Sequence, residues 1–233
     1  MKLGKFWGVG VGPGDPELLT LKAVRVLHEA DSIYAARSEG KDKSVALTIA
    51  TPHLNGGRVE RLAFPMTRDE EVRQRAWREN AERVLTDLRR GETVCFLTLG
   101  DPLTYSTFGY LMQAVREMEP DVEVLVSPGV SAVQAAAAAS GEILVEGEET
   151  LTVVSGAEGG KRLEEALDTA DCVAVLKVYR NFEDIRDTLR RRGVLDRAVM
   201  VSRCGMGGDS VVRDVAGYQG TPEYFSLILV RQR

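Results

Sequence analysis

Leu97-Thr98-Leu99-Gly100-Asp101-Pro102-Leu103-Thr104-Tyr105-Ser106-Thr107-Phe108-Gly109 drives an apolar segment straight into a turn built from residues that can do chemistry. Gly100 frees the backbone from the usual steric limits and Asp101 offers a hydrogen-bond acceptor. Pro102 removes one N–H and pushes Asp101 out of the helical region. At the C-terminal end of a parallel strand, such a turn faces the crevice where open α/β sheets take their ligands. Taken alone, it fits a capped strand-to-helix turn equally well.

Two further stretches have the same character. Gly8-Val9-Gly10-Val11-Gly12-Pro13-Gly14-Asp15-Pro16 places glycines at every second position of a strand end, where a backbone or a ligand can come close. It resembles a dinucleotide fingerprint, with Asp31 at a fitting distance downstream. Pro13 argues against that, since it removes a phosphate-binding N–H, and Asp15 puts a negative charge where a pyrophosphate would sit. Ser127-Pro128-Gly129-Val130-Ser131 leads into the alanine-rich run Ala132 to Ala139, where helix propensity and close packing explain the alanines. A ligand over that helix start would explain Ser131 and the glycine as well.

Alternating strand and helix patterns position these stretches. In the first half, strands are expected over 5–11, 32–36, 58–64, 93–99 and 122–126, and helices from Asp15 or Thr20, over 43–51, from a capping box at Thr67 to Gly91, and over 108–118. In the second half, strands are expected over 150–155, 171–178, 198–203, 210–216 and 224–231. Helices are expected over 132–139 and 160–169, and from an Asn181 cap to Gly193. The pattern predicts an α/β protein of two domains, 1–127 and 128–233, with about five strands each and a ligand cleft between them.

Composition narrows the function classes. The chain has 233 residues, 44% hydrophobic and 28% charged, with no apolar run of the ~20 residues that a membrane span needs. A formal charge of -5 argues against nucleic acid as partner. The glycine-rich start reads as structure rather than a signal peptide, which predicts a cytoplasmic protein. Cys95, Cys172 and Cys204 have the spacing of neither a zinc site nor a disulfide framework, and with only His28 and His53 no metal site is expected. Cys95 and Cys172 sit in apolar strand patterns and read as small core residues.

Taken in order, the Gly8 to Thr20 stretch, Gly100-Asp101-Pro102 with Tyr105-Ser106-Thr107, Ser127 to Ser131, and Leu176-Lys177-Val178-Tyr179-Arg180-Asn181 resemble the tetrapyrrole methylases over essentially the whole chain. Within that family they are similar to the C-20 branch of corrin synthesis, which acts on precorrin-2 or cobalt-factor II. Uroporphyrinogen methylases have a glycine-rich run where Tyr105-Ser106-Thr107 stands here.

The resemblance implies S-adenosyl-L-methionine in the cleft, lined by Val11, Gly100, Asp101, Pro102, Thr104, Ser131, Ala132, Lys177 and Tyr179, with Gly205, Met206 and 224–226 as weaker assignments. It implies a tetrapyrrole facing Gly12, Pro13, Gly14, Asp15 and Tyr105, and a homodimer. Any metal would belong to the substrate, whose ring supplies its own four nitrogens. An electron-rich carbon of the macrocycle is the nucleophile, so the chain needs none. Asp15, Asp101 and Tyr105 are the candidates for a base that takes the leftover proton, none of them assigned. Arg37, Lys41, Lys43, Arg180 and Arg203 are candidates for the substrate carboxylates. The alternatives are methylation at another ring position or of a protein or RNA, a nucleotide-binding module, and a binder without turnover.

Overall fold

Trp7 to Gly10 and Cys95 to Leu97 are apolar on both sides because the first sheet is covered on both faces, as all-parallel sheets are. A computed structural model describes residues 2–37 and 43–232. They fall into two units, Met1–Ser131 and Ala132–Arg233.

The first unit alternates β1 (Lys5–Gly10), α1 (Leu21–His28), β2 (Ser32–Arg37), α2 (Val45–Ala50), β3 (Arg58–Ala63), α3 (Glu70–Arg89), β4 (Val94–Thr98), α4 (Phe108–Met118) and β5 (Glu123–Ser127). The strands lie in the order β3-β2-β4-β1-β5, all parallel. Successive residues of a strand point to opposite faces. Val94 and Phe96 therefore join the core under α3 and α4, whereas Cys95 and Leu97 join the core under α1 and α2.

The second unit runs α5 (Ala132–Ser140), β6 (Leu151–Ser155), α6 (Lys161–Leu167), β7 (Cys172–Leu176), α7 (Phe182–Arg191), β8 (Ala198–Ser202), β9 (Ser210–Val212) and β10 (Ser226–Arg231). Its sheet has the order β6-β7-β10-β8-β9 and is mixed, with only β6 and β7 parallel. Val173, Val175 and Met200 face α6 and α7, while Ala174, Val199 and Val201 face the small-residue helix α5.

Several expected boundaries shift for local reasons. α3 begins at Glu70 rather than Thr67, because the Asp69 carboxylate accepts from the amides of both Glu71 and Val72 (3.0 and 3.2 Å). Asn181 precedes α7 but its side chain does not cap it; the amide donates to the carbonyls of Gly156 and Ala157 instead. β7 stops at Leu176 because Lys177 turns left-handed, and β9 is only three residues long. The units part at 131/132 rather than 127/128, since Gly129 is wedged against Gly10 and Gly100 of the first unit.

Candidate functional site

The C-terminal ends of β4, β1 and β5 are neighbours, so the loops that follow them meet. They meet backbone to backbone. A Cβ on Gly10 would lie 2.6 Å from the Gly100 oxygen and 2.7 Å from the Gly129 nitrogen, and one on Gly129 would lie 2.2 Å from the Gly100 oxygen. Val11 N donates to Thr98 O at 3.0 Å and Gly100 N to Gly12 O at 2.8 Å, which carries the pairing of β1 and β4 past the sheet. Gly12 and Gly100 have φ of +77° and +69°, a conformation that L side chains resist. Gly8 is filled differently: a Cβ there would sit 2.4 Å from the Phe108 ring. The chain itself therefore occupies the space beside Gly8 and Gly10.

Asp101 fastens two of these loops. Its Oδ1 accepts from Leu103 N at 2.9 Å and from the Thr104 hydroxyl at 3.4 Å, and its Oδ2 accepts from Gly129 N at 3.2 Å. Five residues on, Ser106 holds the other end of the loop. Its hydroxyl lies 2.7 Å from that of Thr98 and accepts from Phe108 N at 3.1 Å. Between these two fastenings Pro102 is buried, and Leu103, Thr104 and Tyr105 are exposed. A Cβ on Gly100 would meet nothing nearer than 4.0 Å, so the loop backbone borders open space there.

Loop 12–15 is held from below. Pro13 and Gly14 are buried, Asp15 Oδ1 accepts from Glu17 N at 2.8 Å, and His53 Nε2 lies 3.0 Å from the Pro16 oxygen. α1 begins only at Leu21, capped by Thr20, so its N-terminus is not at the glycines as a dinucleotide site would require.

On the second unit, the ends of β7 and β8 and the start of β10 share one edge, with Leu176 opposite Leu227 and Ser202 opposite Ser226. This edge carries Lys177, Tyr179, Arg203, Gly205, Met206 and Tyr224. The Tyr179 and Tyr224 rings are 4.9 Å apart, with the Arg180 guanidinium 5.4 Å from the Tyr179 ring. Burial, and then the neighbouring Tyr179, raise the pKa of Tyr224. Arg203 reaches Glu223 and the Gly207 oxygen, each at 3.3 Å. Ala132, the first residue of α5, is partly buried and packs against the core under that helix.

Tyr105, Lys177 and Arg203 are the non-glycine residues with positive φ among the described ones (49°, 59° and 54°). Such a conformation costs roughly 1–3 kcal/mol, and residues that bear it gather at functional sites. All three lie in the loops that the sequence singled out. Ser106 and Gly129, which pin the first-unit loops, were not among the expected site residues; a serine two residues before a helix was the available signal. Of the basic candidates, Arg37 is the last residue of β2 and is exposed, as is Lys43, and Lys41 lies outside the described residues.

The thiols are unlike nucleophiles. Burial pushes Cys95 up to about 12 and Cys172 to about 11, and raises Cys204 as well. Among the described residues, no three His, Cys, Asp or Glu side chains converge to hold a metal ion.

Residues 5–217 match the family model of the Tetrapyrrole (Corrin/Porphyrin) Methylases. The chain belongs to this family. It is 34% identical to the probable cobalt-precorrin-2 C(20)-methyltransferase of Methanocaldococcus jannaschii over 98% of this chain and 96% of that protein. Identity to the precorrin-2 C(20)-methyltransferase of a Sinorhizobium species is also 34%, over 98% and 95%. The chain spans about half the length (46%) of the cobalamin biosynthesis protein CobIJ of Mycobacterium bovis, to which it is 34% identical over 97% of its own length. Among solved structures, the tetrapyrrole methylase fold appears in the uroporphyrin-III C-methyl transferase of Thermus thermophilus complexed with S-adenyl homocysteine. That likeness has a TM-score of 0.70 and 25% identity over 98% of both chains.

Proposed function

We propose that the chain is an S-adenosylmethionine-dependent methyltransferase that methylates precorrin-2 or cobalt-factor II at C-20 in corrin synthesis. The observation that carries this is the 34% identity, nearly end to end on both sides, to the cobalt-precorrin-2 C(20)-methyltransferase of M. jannaschii. The pinned loop is consistent with it. The methyl donor, when bound, supplies an electrophilic methyl group on a sulfonium.

Against that chemistry, this chain's task is to position. Effective molarities in well-oriented reactions reach about 10⁵–10⁸ M, so geometry alone can supply most of the acceleration. The Gly100 backbone borders open space, and the exposed Thr104 turns its hydroxyl to Asp101. The loop's order comes from within the first unit, through Asp101, Ser106 and the glycine contacts, so little of it has to be created on binding. Val11, Gly100, Asp101, Pro102, Thr104, Ser131 and Ala132 are proposed for the donor, with Lys177, Tyr179, Gly205 and Met206 on the second unit. Gly12, Pro13, Gly14, Asp15 and Tyr105 are proposed for the tetrapyrrole. Asp15 spends one oxygen and Asp101 both oxygens on backbone amides, which makes them anchors first.

Among the described residues no helix is long and apolar enough to cross a membrane. A cytoplasmic homodimer is proposed with the activity. Incubation with the methyl donor and each macrocycle tests the function: one methyl group per ring, assigned to C-20 by carbon NMR, is expected. Methylation of another ring position would move the chain to a different branch, and no turnover on either ring would overturn the reading.

A further inference from the structure

α3 is longer than the layer it covers. Its 20 residues run about 30 Å, whereas strands of five or six residues span about 17–20 Å. Its buried side chains begin only at Asn80. The chain enters α3 from the C-terminal end of β3, where Asn80 donates to Ala63 O, so residues 70–79, of which Trp77 still packs against the core, extend past the end of the sheet at which Gly12, Gly100 and Asp101 lie.

This overhang is not a simple solvated face. Trp77 stacks on Tyr110 at the start of α4, with centroids 4.4 Å apart and planes within 4°. The Arg73 guanidinium lies 5.9 Å from the Trp77 ring, and Arg73 Nε is buried without a hydrogen-bond partner. The large apolar side chains that the first unit leaves exposed are Leu21, Val59, Met66, Val72, Leu103, Tyr105, Tyr110 and Met118. Val59 and Met118 sit at the opposite end of the sheet and Leu21 on its other face. Of the other five, Met66 and Val72 flank the start of α3, Leu103 and Tyr105 lie in the loop after β4, and Tyr110 is in the first turn of α4, so all five belong to the C-terminal end of the sheet. At the helix start Asp69 caps α3, Glu70 accepts from Gln74 and Glu71 suits the first turn, while Glu79 is exposed near the inner end of the overhang.

We propose that the overhang is a wall for the macrocycle. The flat, apolar ring packs against the outer face of Tyr110 and against Met66 and Leu103, and a substrate carboxylate reaches Arg73. The inner face of Tyr110 is taken by Trp77, and the ring is half exposed, which leaves its outer face for a planar partner. A planar polyanion fits a surface that combines exposed aromatic and thioether groups with the guanidinium of Arg73. A second copy of the chain is the competing occupant, and sedimentation reads it. The inference rests on the tetrapyrrole reading of the site.

Steady-state kinetics on Tyr110→Ser, Arg73→Ala and Met66→Ser, beside wild type in the same series, test it. The KM for the macrocycle should rise about tenfold in the first two and severalfold in the third, the magnitude of a lost ring contact. The dissociation constant for S-adenosylhomocysteine, read by calorimetry, should stay within about twofold. Met66 precedes the helix, so its variant stays informative if a helix variant fails to fold. An unchanged macrocycle KM overturns the wall. So do a parallel rise in both constants, which would make the overhang mere support, and a loss of self-association by sedimentation with KM intact. Wild type inactive on every tetrapyrrole would overturn the function itself, and that arm is read separately.

Discussion

Replacing Asp101 by alanine removes the brace between the loops that follow β4 and β5. Its carboxylate accepts from Leu103 N at 2.9 Å, Gly129 N at 3.2 Å and, weakly, the Thr104 hydroxyl at 3.4 Å. A hydrogen bond to a charged acceptor contributes about 1.5–3 kcal/mol, and losing one costs less where water can replace it. Leu103 and Thr104 are exposed, so their donors are largely resolvated; Gly129 is only half-exposed. The net loss of loop order is therefore about 1–2 kcal/mol, which at 1.4 kcal/mol per decade weakens S-adenosylhomocysteine binding about 5- to 30-fold. The apolar cores are untouched, and the thermal midpoint should fall by no more than about 2–8 °C. Asp101→Asn keeps one acceptor oxygen and should fall between wild type and alanine. Calorimetric titration and a melting curve on each variant read both effects. Unchanged affinity with a midpoint lowered by far more than this would refute the reasoning and make Asp101 a cap for the fold alone.

The Asp87 side chain is 4% exposed and accepts from Tyr34 Oη at 2.8 Å and from Arg58 and Arg90. Burial raises its pKa, but the hydrogen bonds of Arg58, Tyr34 and Ser32 and the charge of Arg58 prevail, and the net shift is downward. A depressed carboxylate stabilises the fold above its unfolded value and loses that contribution as pH falls through the folded one. Asp87→Asn should cost about 2 kcal/mol at neutral pH and flatten the acid limb of stability below about pH 4, as read by urea unfolding at stepped pH. Gly129→Ala and Gly100→Ala should separate steric from conformational cost. The first meets the Gly100 oxygen at 2.2 Å and should cost at least about 3 kcal/mol, whereas the second meets nothing within 4.0 Å and pays only the left-handed penalty of about 1–2 kcal/mol. Saturating S-adenosylhomocysteine at a hundred times its dissociation constant should add about 2.7 kcal/mol, or roughly 5–10 °C, with NAD giving no comparable shift. Alkylation at pH 8 should modify Cys204 first, because Cys95 and Cys172 are buried and held protonated.

Much of the scaffold was legible because it is written in local terms. The apolar runs of β1 and β4, the helical spacing of Trp77, Ala81, Val84 and Leu88, and the left-handed glycines at helix ends are all short-range signals. What was not legible depends on partners far along the chain. The spacing of Gly8 and Gly10 suits a ligand or a backbone equally well, and only the placement of Phe108 and Gly129 shows that the chain itself fills the room. Asp101 could be read as an acceptor, but not that its second oxygen goes to Gly129, 28 residues on. The overhang of α3 is hidden for the same reason, since Trp77 continues the core stripe in sequence and packs at its margin, where its stacking on Tyr110 depends on a residue 33 positions on. Asn181 shows the converse, a good cap residue whose amide is claimed by carbonyls about 25 residues upstream.

The most direct test of the account is single-turnover methylation of precorrin-2 and of cobalt-factor II with methyl-labelled donor, with the product assigned by carbon NMR. The account predicts one label per macrocycle, on C-20, released with one equivalent of S-adenosylhomocysteine and with no label left on the protein. A label at another ring carbon, or on a protein side chain, would contradict it.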